Sequence, residues 1–109
     1  MSDQRGPVIR ALAEGAGARR YWRYEHREPD ESAGRWYFEC VREDDEWWCI
    51  RQIAPHAGGV SAYDWQQLGD EHGFLTDQPI DEEQPLLEAI TAEEFEAAWR
   101  AVPSDRPRR

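Results

Sequence analysis

The chain has no lysine: each of its 13 basic residues is an arginine, and they stand against 23 acids for a formal net charge of -10. A protein that tracks a nucleic-acid backbone needs a basic stripe to displace the counterions held on the phosphates, and this composition does not supply one. Long apolar runs are also missing. Nothing approaches the roughly 20 apolar residues of a membrane span, or the ~7–15-residue apolar core of a signal peptide, so a soluble cytoplasmic protein is expected. Cysteine is scarce, with two in 109 residues, too few for a disulfide scaffold.

The signatures of catalysis are absent as well. There is no phosphate-cradling glycine pattern, no Gly-x-Ser-x-Gly elbow and no His-Glu-x-x-His. Cys40, Cys49, His56 and His72 do not have the paired close spacing of a zinc site. The acidic run Glu43-Asp44-Asp45-Glu46 has neither the central glycine nor the closing bidentate glutamate of a calcium loop. No cofactor, no metal and no enzymatic activity are expected. His26, Glu28 and Asp30 lie near one another in sequence, where a histidine beside carboxylates can act as a base with its orienter. An alternative reading is therefore a small enzyme or ligand-binding domain using His26, Glu28, His56 and His72.

What is present is aromatic. Six Trp, four Tyr and three Phe supply the core of one domain. Two runs, Arg35 to Arg42 and Trp47 to Pro55, are rich in aromatic and β-branched residues and flank the acidic cluster, so they read as a hairpin with Asp44-Asp45 at its tip. A straight register sets Cys40 opposite Cys49, Phe38 opposite Arg51 and Trp36 opposite Ile53 on one face. Val41 with Trp48, Glu39 with Ile50 and Tyr37 with Gln52 lie on the other. The first face is the more apolar and is expected to meet the core. Opposed Cys40 and Cys49 allow a disulfide, but two buried apolar thiols are the better expectation.

Tyr21 to His26 reads as a preceding strand and Val60 to Trp65 as a following edge strand. Residues 66–89 break into acids punctuated by glycine and proline, pinned by Phe74, Leu75, Ile80, Leu86, Leu87 and Ile90. The chain closes on a helix, Thr91 to Val102. Thr91 with Glu94 makes a capping box, and Phe95, Ala98, Trp99 and Val102 form one apolar stripe. The fold class is thus α+β, an antiparallel sheet of about four strands with the C-terminal helix packed across one face, Phe95 and Trp99 meeting Trp36, Phe38 and Ile53. Residues 1–20 read as a flexible arm in which Pro7 and Gly15 bracket a short helix, 21–102 as the domain, and 103–109 as a disordered Arg-rich tail.

Charge follows that division. Residues 1–20 carry +2 (Arg5, Arg10, Arg19 and Arg20 against Asp3 and Glu14), and 103–109 carry +2 (three arginines against Asp105), which leaves -14 on 21–102. Such a domain favours a basic partner or plain solubility. More aromatics are present than one sheet face can bury. The surplus is either exposed for binding or buried in a second layer beneath residues 66–90. On the binding reading, the partner-contacting residues are Tyr37, Trp48, Tyr63, Trp65, Glu39, Asp44 and Asp45.

Three stretches carry a resemblance: Tyr21-Trp22-Arg23-Tyr24-Glu25-His26, Gln78-Pro79-Ile80, and Ile90-Thr91-Ala92-Glu93-Glu94-Phe95-Glu96-Ala97-Ala98-Trp99. They resemble a family of small uncharacterised bacterial domains found mainly in actinobacteria, and the closing helix is similar to that of small acidic immunity proteins that neutralise toxins. The middle, at Trp47-Trp48-Cys49 and Gly58-Gly59, departs from that pattern. The resemblance implies a protein that acts by binding, as an immunity protein or antitoxin occluding a basic toxin surface. An acidic nucleic-acid mimic is a further alternative, which requires carboxylates set in a line.

Overall fold

The computed structural model describes residues 5–26, 34–56 and 58–103. Residues 104–109 of the tail expected at 103–109, Glu28 and Asp30, and the His26 side chain lie outside the described residues. Strands β1 (Arg19–His26), β2 (Gly34–Glu43), β3 (Glu46–His56), β4 (Gly59–Tyr63) and β7 (Leu87–Ile90) form one antiparallel sheet in the order β4-β3-β2-β1-β7. A two-residue ribbon, β5 (Gly69–Asp70) with β6 (Gly73–Phe74), stands apart. Helix α1 (Arg5–Glu14) precedes the sheet and α2 (Ala92–Ala101) follows it. The α+β class is as the sequence indicates, with one strand more.

The central hairpin turns at Asp44-Asp45, as its composition predicts. Both residues are left-handed, with φ of 55° and 64°. Two such residues make the turn whose twist matches that of the flanking strands. From Glu43 to Cys40 the register is the expected one, and Cys40 lies opposite Cys49. Beyond Cys40 it slips, because Ile50 is an extra residue: Glu39 pairs with Arg51, Phe38 with Gln52 and Tyr37 with Ile53. A bulge of one residue exchanges the faces of everything that follows. Arg51 and Ile53 therefore share a face with Tyr21, Tyr37 and Glu39, while Gln52 and Ala54 join Trp22, Trp36 and Phe38 on the other.

This slip corrects the placement of α2. The helix packs on the face of Tyr21, Glu39 and Arg51, not on that of Trp36 and Phe38. Phe95 is fully buried, 5.6 Å from the Tyr21 ring and 6.0 Å from Trp99. The capping box is present: Glu94 N–H donates to Thr91 Oγ1 at 3.1 Å, and Thr91 N–H donates to Glu94 Oε1 at 3.3 Å. Under the helix lies a polar layer. Buried Glu39 accepts from Arg19 Nη1 (3.1 Å), Tyr21 Oη (3.2 Å) and Arg51 Nε, and Arg51 also bonds Glu96. The Arg51 guanidinium sits 4.9 Å from each of the Phe95 and Trp99 ring centroids, stacked as a cation on aromatic faces. Burial works against the Arg51 charge, but the bonds to Glu96 and Glu39 outweigh it and its pKa is raised. Burial, with Glu39 adding to it, also raises the Tyr21 hydroxyl.

The opposite face carries the larger core, where Trp22, Phe38, Cys40, Cys49 and Tyr63 are joined by Ile9 of α1 and by Leu75. Both apolar layers thus exist, and the surplus aromatics divide between them. Trp22 and Trp47 meet edge to face at 5.5 Å. The segment after β4 is stitched down by a buried amide: Gln52 Nε2 donates to the Phe74 carbonyl (3.1 Å) and Oε1 accepts from Thr76 N–H (2.8 Å). Leu75 and Ile80 pin it as expected. Phe74 and Leu86 do not, at 58% and 54% exposed. Nor are residues 66–90 without regular structure, since β7 pairs with β1 from Tyr21–Ile90 to Tyr24–Leu87.

The N-terminal segment is likewise docked rather than loose. Ile9 is 8% exposed, and Arg5 Nη2 donates to the carbonyls of Leu75 (2.7 Å) and Thr76 (3.2 Å). The reason is local and apolar: Ile9 and Leu12 are turned to the core, which the flanking glycines and arginines of the sequence obscure. Cys40 and Cys49 are buried free thiols, and burial beside Cys49 holds the Cys40 thiol well above its usual value. No helix among the described residues is long and apolar enough to cross a membrane.

Candidate functional site

The hairpin tip and the connection after β6 meet at one end of the molecule. Ile80 N–H donates to the Trp47 carbonyl at 2.8 Å, which lays residues 76–83 beside the start of β3. The effect is to gather acids that are far apart in sequence. Glu43, Asp44, Asp45 and Glu46 from the tip, and Asp77, Asp81, Glu82 and Glu83 from the connection, are all exposed at this end. Few cations balance them. Arg20 and Arg42 flank the buried Trp47 ring at 5.2 and 5.4 Å from its centroid. Arg20 binds Glu82 (2.7 Å), Arg42 approaches Asp45 (3.6 Å), and Trp47 Nε1 donates to Glu82 (3.3 Å).

Two clefts open here. The first, about 390 Å³, lies between α1 and the tip, with Ile9, Leu12, Trp48 and Cys49 inside and Glu43, Asp44 and Asp77 among its lining residues. The second, about 290 Å³, lies between Asp45-Glu46-Trp47 and Pro79 to Glu83. The first is at the lower end of the size range of ligand clefts and is lined largely by apolar side chains. Trp48 is half-buried in it, its Nε1 donating to the Glu43 carbonyl at 3.2 Å.

Of the residues singled out from the sequence, Trp48, Asp44 and Asp45 come together at this end. Tyr37 and Glu39 do not; they lie on the α2 face, and Glu39, 4% exposed, is a structural partner of Arg19, Tyr21 and Arg51. Tyr63 is 1% exposed and its hydroxyl donates to Asp70 Oδ1 at 2.8 Å. That bond and the His72 N–H outweigh the effect of burial and hold the Asp70 carboxyl below its usual value. Trp65 is half-buried against the larger core. Glu39 and Tyr63 are therefore core residues, not contact residues: Glu39 through the shift of register, Tyr63 because the connection folds over β4. Sequence reasoning missed Val8, Ile9 and Leu12, whose spacing over one helical turn was a usable signal, and Asp77 to Glu83, for which no local signal exists.

The histidines of the alternative reading are partly united. His56 and His72 stack with ring centroids 3.7 Å apart and planes 3° apart. His56 Nδ1 accepts from Gly58 N–H at 3.0 Å, and His72 Nε2 lies 3.3 Å from Glu71. Neither of the two clefts is lined by a histidine. Among the described residues, no group of three or more His, Cys, Asp or Glu is placed to hold a metal ion.

Comparison with protein families, with curated proteins and with solved structures finds no match to this chain.

Proposed function

We propose that the protein is a non-enzymatic acidic binding module that engages a basic surface of a protein partner, in the manner of an immunity protein or antitoxin that neutralises a toxin by occluding it. One observation carries the reading: eight exposed carboxylates from two distant stretches converge at the hairpin end, and three of them, Glu43, Asp44 and Asp77, line a groove that holds a half-buried tryptophan. Opposite charge accelerates encounter, and a desolvated aromatic slows release, which is how tight protein inhibitors divide the work.

The test is co-expression of the chain with the products of its neighbouring genes. One of those products should arrest growth alone and be silenced by this chain. The purified pair should associate with a rate that falls as salt rises, because exposed charges are screened beyond about 8 Å at physiological ionic strength. If no neighbouring product is rescued and no basic protein forms a complex with the chain, the reading fails.

A further inference from the structure

The groove between α1 and the hairpin tip is apolar inside and acidic outside. Ile9 and Cys49 are buried, Leu12 and Trp48 are half-buried, and Val8 beside them is 58% exposed. Glu43, Asp44 and Asp77, all exposed, line the same groove. Arg5 lines the groove too, its guanidinium donating to the carbonyls of Leu75 and of Thr76, the residue before Asp77, so the lining carries three acids against one base.

Resting on the reading of the chain as an acidic binding module, we propose that this groove is the anchor point for a basic amphipathic helix of the partner. One apolar side chain enters against Val8, Leu12 and Trp48, while lysines or arginines on the adjoining turns meet Glu43, Asp44 and Asp77. The charges select this occupant. An acidic or phosphorylated segment would set like charges against the rim. A neutral apolar segment would strip water from three carboxylates without pairing them, and leaving charges desolvated and unpaired is costly. A purely basic segment would pair the rim but leave Val8 and the indole of Trp48 in water, so the apolar area would contribute nothing. Only a segment with both characters satisfies the floor and the rim together, and a helix does so at three- and four-residue spacing.

The probes are three labelled synthetic peptides: an amphipathic helix of leucine and lysine, a shorter oligolysine of the same charge, and an amphipathic helix of leucine and glutamate. Binding to the full chain is read by fluorescence anisotropy. The leucine–lysine helix is expected to bind about tenfold or more tighter than oligolysine, and the glutamate helix not at all. Val8→Glu, a substitution at an exposed position, should weaken the leucine–lysine helix about tenfold while leaving oligolysine unchanged or slightly tighter, since it removes apolar surface and adds an acid. Phe74→Glu is the control, an equally exposed apolar residue outside the groove, and should leave the preference for the leucine–lysine helix intact. An unchanged urea midpoint for both variants excludes misfolding. If the two cationic peptides bind alike and Val8→Glu does not discriminate between them, or if Phe74→Glu acts as Val8→Glu does, the groove is not the anchor, though the acidic module stands. If neither cationic peptide binds, both readings fall.

Discussion

The hairpin tip is built against its own local preferences, and replacing Asp44-Asp45 by Asn-Gly should separate stability from binding. Both residues hold positive φ, a region that costs an ordinary side chain about 1–2 kcal/mol and glycine almost nothing; aspartate lies between. Asn-Gly is the preferred pair for a two-residue turn of this hand, so Asp45→Gly should contribute about 1 kcal/mol of stability. Charge adds to it. Two unit charges about 6 Å apart in water repel by roughly 0.7 kcal/mol, reduced to a few tenths by salt, and the variant removes two of four successive acids. The Arg42–Asp45 contact at 3.6 Å is lost, but Asp45 is 96% exposed and such pairs contribute little. The net expectation is a gain of about 1–1.5 kcal/mol, which raises the urea midpoint by roughly 0.5–1 M for a domain with a slope near 1.5–2 kcal/mol/M. Association with the leucine–lysine helix should slow at the same time, most visibly at low salt. A midpoint that falls would show that the tip is not the turn described here. A midpoint that rises with association unchanged would show that the tip acids serve solubility alone, and a retained local cost with no functional return would have to be explained otherwise.

Other consequences are measurable by unfolding. Phe95→Ala should cost about 3–5 kcal/mol, as expected for a fully buried aromatic, and more than Trp99→Ala, because Trp99 is only half-buried; equal losses would mean that the helix is anchored by its last turn. Glu39→Ala should cost about 2–4 kcal/mol, since it leaves the half-buried Arg51 with Glu96 alone and the hydroxyl of Tyr21 short of a partner, and a loss under 1 kcal/mol would mean that water replaces the carboxylate. The bond from Arg51 holds the Glu96 carboxyl below its usual value, so its contribution is present above about pH 4.3 and is lost as pH falls through the lower folded-state value. The stability difference between wild type and Glu96→Gln should therefore shrink on acidification, and a constant difference would rule out that linkage.

What could be read from the chain alone was whatever depends on neighbours in sequence. The turn at Asp44-Asp45 follows from two strand-forming runs with a short acidic gap. Helix α2 follows from Thr91, Glu94 and the spacing of Phe95 and Trp99, because a capping box and an apolar stripe are complete within three turns. The net charge and its concentration in residues 21–102 are likewise properties of the list of residues. Tertiary structure decided the rest. The extra residue Ile50 has no signature, yet by shifting the register it turned Arg51 and Ile53 toward α2 and Gln52 toward the connection. That exchange put the helix over Tyr21 and Glu39 and made a predicted contact residue, Glu39, part of the core. The alternation of β7 was too short to be seen, at four residues, and exists because β1 offers it an edge. The acidic end itself depends on a contact between Ile80 and Trp47, 33 positions apart, and the groove beside it on α1 docking through Ile9. Local propensities set which segments turn, extend or coil; only the burial of apolar faces against one another determines which distant acids come to share a surface.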